Sequence, residues 1–539
     1  MALFLKAEQK NLLSFFGTDE RYIIPAFQRP YSWGYEQCDR LYNDLAEAFN
    51  NDNEYFLGNI VIASAKNDNL RPHVIDGQQR LITLFMIAKI LTVLQPEYVK
   101  FSRLIFVEDD RGMVQFPKME SEVPESNDNN LLEKILKMNL DEIIDRLDQI
   151  RVKNIVVPEK CEGKIEINFL TLFSWYYGYK TRATEEEFGK YLDFFFRKIY
   201  ILPITLDGKT QIEAESDALT IFETINDRGL SLQDADIIKA LLYKKAKQCG
   251  EDHVFINEWH SLRIECLDLD ISIDDLFRYY YYLLKEADSS SSNSNRLRDY
   301  FVRNPQSPIQ IHPLNQTIHN LKRIVEILQY LSDVLIGSSL IAVPLRILNS
   351  YTNQYPRYAI VAYIYEIGIN KINELNFLEF LTSLIRLSYG SGSTTAIKSE
   401  IFNIIRSISR NEPLKQYYFS KEIDVLNTQR VFPLRRGMIL LSLWLEYPDL
   451  EFGQEFDIDR VIPRKDLSAE EPLGNFFVIY GPKKRGDWSR KTIAYNKSCN
   501  TVFGKQFDGL KNKTPIEIVA QRNNTIHQVL SKFFYGENK

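Results

Sequence analysis

Apolar and polar positions in the N-terminal part of the chain switch between runs suited to strands and spacings of three and four suited to helices. Leu3 to Phe16 has helical spacing. Tyr22-Ile23-Ile24 reads as a strand stopped by Pro25. Tyr35 to Phe49 reads as a helix opened at Ser32 or Gly34, with Leu41 and Leu45 on its buried side. Tyr55 to Ser64 is a strong strand, followed by a turn over Lys66 to Asn69. Val74-Ile75 is a short buried strand that Asp76-Gly77 breaks. A helix then runs from Gln78 to about Leu94, with Leu81, Leu84, Phe85 and Ala88 on one face. The strands before and after residues 66–69 are expected as neighbours in one sheet, which sets Gly58 and Asn59 in the layer of Gly77. Leu131 to Ile150 is helical, and Asn154 to Val157 is expected to return to the sheet. Thr184 and Glu187 form a capping box for a helix to Lys198. Tyr200 to Leu206 is a strand that Pro203 places at an edge.

Further on, Ala218, Ile221, Phe222 and Ile225 mark one helix face, Asn226 to Gly229 its C-cap, and Ser231 with Asp234 the start of a second helix. Residues 250–450 are repeated helical material rich in tyrosine and leucine, as in Phe277 to Leu284. Such an aromatic run is helix-packing core, with an aromatic-lined groove as the alternative. Ser289 to Asn295, Pro305 to Pro313 and Gly390 to Thr395 interrupt it. The last lacks a Walker lysine and is a helix-to-helix turn, not a P-loop. Gly437 to Leu445 is a buried helix too short to span a membrane.

These patterns make an α+β chain of three parts: 1–248 as a mixed domain, 249–450 as a helical domain and 451–539 as a small basic domain. The length, 539 residues, allows two to four cores. A net charge of −6 excludes a chain that coats nucleic acid through global charge, but leaves room for a local basic patch. One is present: Gly481 to Lys539 holds twelve Lys or Arg against four Asp or Glu. Five scattered cysteines and six histidines show no metal-ligand spacing, and the N-terminus lacks a signal-peptide pattern. Free thiols in a reducing, cytoplasmic setting are expected.

Chemistry concentrates at three places. A strand, a glycine turn and a polar helix start at Asp76-Gly77-Gln78-Gln79-Arg80 make an anion site, since free N–H groups and the helix dipole converge there beside a guanidinium. The plain alternative is that Asp76 caps the helix and pairs with Arg80. Pro25 to Trp33 is extended or turning and brings Gln28, Arg29 and aromatics including Trp33, either to line a pocket or to pack as a turn. Asn226 and Arg228, with Lys239 on the following helix, are dense functional chemistry or a well-capped corner. Near the C-terminus Lys483, Lys484, Arg485, Arg490 and Lys491 cluster with Trp488, as a phosphate-backbone contact or a solvated face.

Ile24 to Trp33, Tyr55 to Ile60, Val74 to Leu84, and Phe222 to Leu232 with Asp236 and Lys239 form an ordered series. It resembles the modification-dependent restriction proteins of the GmrSD kind and their relatives in phage defence. The resemblance implies a ParB/sulfiredoxin-like core that binds and hydrolyses nucleoside triphosphate with Mg²⁺ and helps sense modified DNA. In that reading Asp76, Gln78, Gln79 and Arg80 are catalytic, Asp76 holds the metal, and Gln28, Arg29, Trp33, Gly77, Asn226, Arg228 and Lys239 bind nucleotide. The implied partners are DNA, modified phage DNA included, a separate effector and further copies of the chain, with no membrane. The C-terminal part resembles the family's HNH-type nuclease, whose acidic–His–aliphatic–aliphatic–Pro motif supplies a general base. Here that run is Asp459-Arg460-Val461-Ile462-Pro463, with Asn475, Asn496 and Asn500 kept. An arginine cannot accept a proton near neutral pH, so a degenerate HNH-like domain that contacts DNA through Arg460 and the basic cluster is expected. The alternatives are a non-catalytic sensor acting through an effector, and a nuclease with another base.

Overall fold

The computed structural model describes residues 5–65, 71–95, 102–108, 114–123, 127–152, 155–211, 214–215, 217–218, 234–287, 297–302, 304–391, 393–420, 425–426, 433–450, 452, 456–466, 471–498, 500–510 and 512–536. The chain divides into two compact units, Met1–His260 and Ser261–Lys539.

The first unit is an α+β domain. Its sheet contains β1 (Leu5–Ala7), β2 (Lys10–Asn11), β3 (Tyr22–Ile24), β4 (Tyr55–Ala65), β5 (His73–Asp76), β6 (Met119–Ser121) and β7 (Ile199–Gly208). The order is β1-β7-β4-β5-β3-β6, with β2 also on β7. β4 and β5 are neighbours, as expected, and run antiparallel, whereas β7 runs parallel to β4 and β3 parallel to β5. Its helices include α1 (Leu12–Phe16), α2 (Tyr35–Asn50), α3 (Gln78–Leu94), α4 (Asp128–Lys137), α5 (Lys164–Lys180), α6 (Glu185–Arg197) and α7 (Asp234–Cys249). α3 is buried on nearly every side, because apolar residues surround its axis, so it is the central helix of the core and not an amphipathic cover. α2 buries Leu41 and Leu45 as expected, and the Thr184–Glu187 capping box opens α6.

Three expectations give way. Among the described residues of the first segment only Leu12–Phe16 are helical; Leu5–Ala7 and Lys10–Asn11 pair with β7 instead, and their side chains stay largely outside the core. Pro203 does not lie at an edge. It pairs with Ile60 of β4, and on its other side it falls where β1 and β2 are interrupted, so its missing N–H disrupts no ladder. Ile155-Val156 does not rejoin the sheet, because it pairs locally with Arg151-Val152.

The second unit begins helically. α8 (Ile273–Ala287), α9 (Leu314–Ile336), α10 (Ala342–Asn349), α11 (Tyr355–Ile367), α12 (Glu374–Gly390), α13 (Thr394–Ser409) and α14 (Arg435–Glu446) pack on one another. Tyr279 to Tyr282 are buried, and Ser393 caps α13 at the predicted turn. The hairpin of β8 (Asp457–Arg460) and β9 (Phe476–Ile479) follows, then α15 (Trp488–Ser498), α16 (Asn500–Gln506) and α17 (Pro515–Tyr535). Phe477, Tyr495, Phe503 and Phe507 form the local core, with Trp488 packed on it. Arg522 of α17 is buried and donates to the carbonyls of Gly474, Phe476 and Gln506, which fixes the helix across the hairpin. No described helix is long and apolar enough to cross a membrane.

Candidate functional site

β5 delivers Asp76 to a turn at Gly77, which has φ +87° and N-caps α3. Any side chain there would be strained, and a Cβ would run into Ile60 of β4. The first N–H groups of α3 open at this point. Arg80, one turn in, reaches back over β4. Its Nη2 lies 3.5 Å from Asp76 Oδ2, and its Nη1 donates to Leu57 O at 3.4 Å. Gly58, also at positive φ, is what admits it, since a Cβ would strike the guanidinium. Burial pushes the Asp76 carboxyl above its ordinary range, against the opposing charges of Arg80 and Arg29 and a hydrogen bond from the Gly77 N–H. Two guanidinium groups therefore attend one carboxylate that is itself reluctant to ionise. The Asp76–Arg80 pair of the plain reading is present, but Gly77, not Asp76, is the cap.

The two glutamines cross-link this turn to the Pro25–Trp33 segment. Gln28 Nε2 donates to Ile75 O (2.9 Å), and its Oε1 accepts from Gln78 Nε2 (3.1 Å). Gln78 is buried, and its Oε1 has no hydrogen-bond partner among the described residues. Gln79 Oε1 accepts from the N–H groups of Ser32 (2.7 Å) and Trp33 (3.2 Å), while its Nε2 donates to Pro30 O (3.2 Å). Arg29 between them is exposed. The Trp33 side chain is partly buried against the core. Lys239 of α7, buried, points its Nζ to Gln28 O at 3.5 Å and stands over the Trp259 ring. Asn226 and Arg228 lie outside the described residues.

Further supports are not evident from the motifs alone. Asn168 of α5 donates to Trp33 O (2.8 Å) and to the Tyr31 hydroxyl (3.3 Å), and Asp128 accepts from the Tyr31 N–H (2.7 Å). The signal for Asn168 is one buried amide in the apolar run Ile165 to Phe173, a polar group that must find partners.

Residues 10–243, the stretch that builds this turn and its supports, match the family model described as GmrSD restriction endonuclease, N-terminal domain. The chain carries that domain. No curated relative matches the chain. As for metal at the turn, Asp76 is a single carboxylate, and no cluster of three or more His, Cys, Asp or Glu able to hold an ion occurs among the described residues. Asp76 offers one carboxylate to a cation that an anionic ligand would bring.

Beyond the GmrSD domain, the C-terminal hairpin holds a second charged cluster. Asp459 is buried and saturated: Oδ1 accepts from Lys491 Nζ (2.7 Å) and the Arg460 N–H (2.8 Å), and Oδ2 from the Tyr495 hydroxyl (2.7 Å). Lys491 Nζ also donates to Arg460 O (3.0 Å). Arg460 forms an ion pair with buried Glu471. Asn475, fully buried, clasps the backbone of Ile462 through both ends of its amide, so the turn carrying Pro463 is fixed. A divalent cation does not fit at Asp459, because an internal ammonium and a phenol already satisfy its carboxylate. Of the basic cluster, Lys483 pairs with Asp457 (2.9 Å), Arg485 and Arg490 are exposed, and Lys484 is half-buried. Trp488 packs inward on Phe477 and Phe507. Asn496 is exposed, and Asn500 opens α16, with its side chain outside the described set.

Proposed function

We propose that this protein acts in defence against foreign DNA, binding and hydrolysing a nucleoside triphosphate at the Gly77 turn of a ParB/sulfiredoxin-like core and associating with DNA. The observation that carries the reading is the buried Gln78 Oε1, without a hydrogen-bond partner among the described residues, next to a glycine-opened helix N-terminus flanked by Arg29 and Arg80. That set asks for a ligand with negative charge and a hydroxyl or water donor, which a nucleotide with its ribose supplies. Arg80 and Arg29 take phosphate oxygens; Gln78 and Gln79 hold the turn and orient a hydroxyl or water. Asp76 is the carboxylate for a Mg²⁺ carried by the triphosphate, which supplies charge neutralisation at the phosphates. Asn226, Arg228 and Lys239 are the further residues that this reading assigns to nucleotide binding.

The C-terminal part fits DNA contact without cleavage by a histidine base. Arg460 occupies the position of the base and is committed to Glu471, which favours a sensor that hands cutting to a separate effector. Phosphate release from each of the four nucleotides, with and without DNA, tests the enzyme reading. Arg80→Ala is expected to lower the rate at least tenfold and Arg80→Lys to retain part of it. Equal rates for wild type and Arg80→Ala refute it.

A further inference from the structure

Around Arg29 the chain is held residue by residue. The Gln28 N–H donates to Pro25 O (2.9 Å), and its side-chain amide binds Ile75 O and Gln78. Pro30 O accepts from Gln79 Nε2. The Tyr31 N–H donates to Asp128 Oδ2 (2.7 Å). The N–H groups of Ser32 and Trp33 share Gln79 Oε1, Ser32 O accepts from Lys164 Nζ (3.4 Å), and Trp33 O accepts from Asn168 Nδ2 (2.8 Å). Arg29, between these anchored neighbours, is exposed, and its charge is felt at Asp76.

Two of the anchors come from outside the ordered motifs. Asp128 opens α4, Asn168 lies in α5, and both are buried. Asn168 also starts a one-way chain of hydrogen bonds through the core. Its Nδ2 donates to the Tyr31 hydroxyl (3.3 Å), which lies 2.8 Å from Thr83 Oγ1. Thr83 spends its own proton on Gln79 O (2.8 Å), so it accepts from the tyrosine. The chain thus runs from α5, through the ring of Tyr31, to the first turn of α3 beside Arg80. One network sets both the segment that carries Arg29 and the helix turn that carries Arg80. Apolar packing would hold a surface segment without desolvating a carboxylate and two amides. A satisfied buried network instead fixes one conformation.

We infer that Asn168 and Asp128 are positioning residues, which hold the backbone on either side of Arg29 so that its guanidinium meets the same anion as Arg80. Neither side chain touches the ligand; each acts through Arg29. A long side chain on a fixed backbone loses less freedom on binding than one on a loose loop, so the network contributes to affinity without a contact of its own. The inference rests on the anion site proposed at the Gly77 turn.

The probe is inorganic triphosphate, titrated by calorimetry into the full chain and into variants shown by circular dichroism to be folded. Asn168→Ala and Asp128→Ala are each expected to weaken binding about tenfold. Asp128→Asn keeps an acceptor for the Tyr31 N–H and is expected to stay within about twofold of wild type. In an Arg29→Ala background both losses should shrink to less than about twofold, since nothing is left to position. Should Asn168→Ala not fold, the two Asp128 variants decide. Affinity unmoved in folded Asn168→Ala and Asp128→Ala, or the same loss with and without Arg29, overturns the inference, and the anion site stands if Arg80→Ala still abolishes binding. A wild-type chain that does not bind, or that binds as well with Arg80→Ala, sinks the anion site and this inference with it.

Discussion

Asp76 is held in a state that costs the fold something. Burial raises its pKa, and Arg80 and Arg29 only partly offset this. The folded state therefore holds the proton more tightly than the unfolded chain, and stability falls as pH rises from about 3.9 through the raised folded value. Asp76→Asn is expected to be at least as stable as wild type in urea at pH 7, the two converging near pH 3, while phosphate release drops. A variant that is markedly less stable at pH 7 would make Asp76 a structural partner of Arg80. Gly77→Ala runs the other way. It forces a Cβ into the left-handed region and onto Ile60, and thermal unfolding should show a loss of about 1–2 kcal/mol or more. The Asp76–Arg80 pair was legible in the sequence as a four-residue spacing. The use of Gln78 and Gln79 was not, because their partners lie 46 to 50 residues away.

At the scale of elements, the strand–turn–helix unit of β4, β5 and α3 was readable because β-branched runs and glycine punctuation act locally. The clamp that ties it to Pro30–Trp33 depends on tertiary contact. Gln79→Ala removes the acceptor of two N–H groups, and equilibrium unfolding should show a loss of about 1–3 kcal/mol. An unchanged midpoint would mean that solvent replaces the clamp. The opening segment was misjudged for the same reason. Its helical spacing is overridden by pairing with β7, a partner some two hundred residues on, whereas Thr184–Glu187 was read correctly because a capping box is complete within four residues.

Across the whole molecule, the change from mixed to helical periodicity and the excess of positive charge near the C-terminus were legible in the sequence, whereas the GmrSD resemblance rested on ordered motifs. Arg460 within the run Asp459 to Pro463 was visible too, but its pairing with Glu471 and the Lys491–Asp459–Tyr495 cluster emerge only in three dimensions. Lys491→Met leaves a buried carboxylate without its cation and is expected to cost about 3–5 kcal/mol in unfolding experiments. Exchange of Lys484, Arg485 and Arg490 for alanine should instead leave folding intact and flatten the salt dependence of DNA binding by roughly one unit per lost phosphate contact. The central claim is that triphosphate settles over the turn that starts α3. Hydrogen exchange with a non-hydrolysable triphosphate tests it most directly. Protection of the Gln78, Gln79 and Arg80 amides, lost in Arg80→Ala, is the predicted result; nucleotide binding that leaves those amides unchanged and protects others would contradict it.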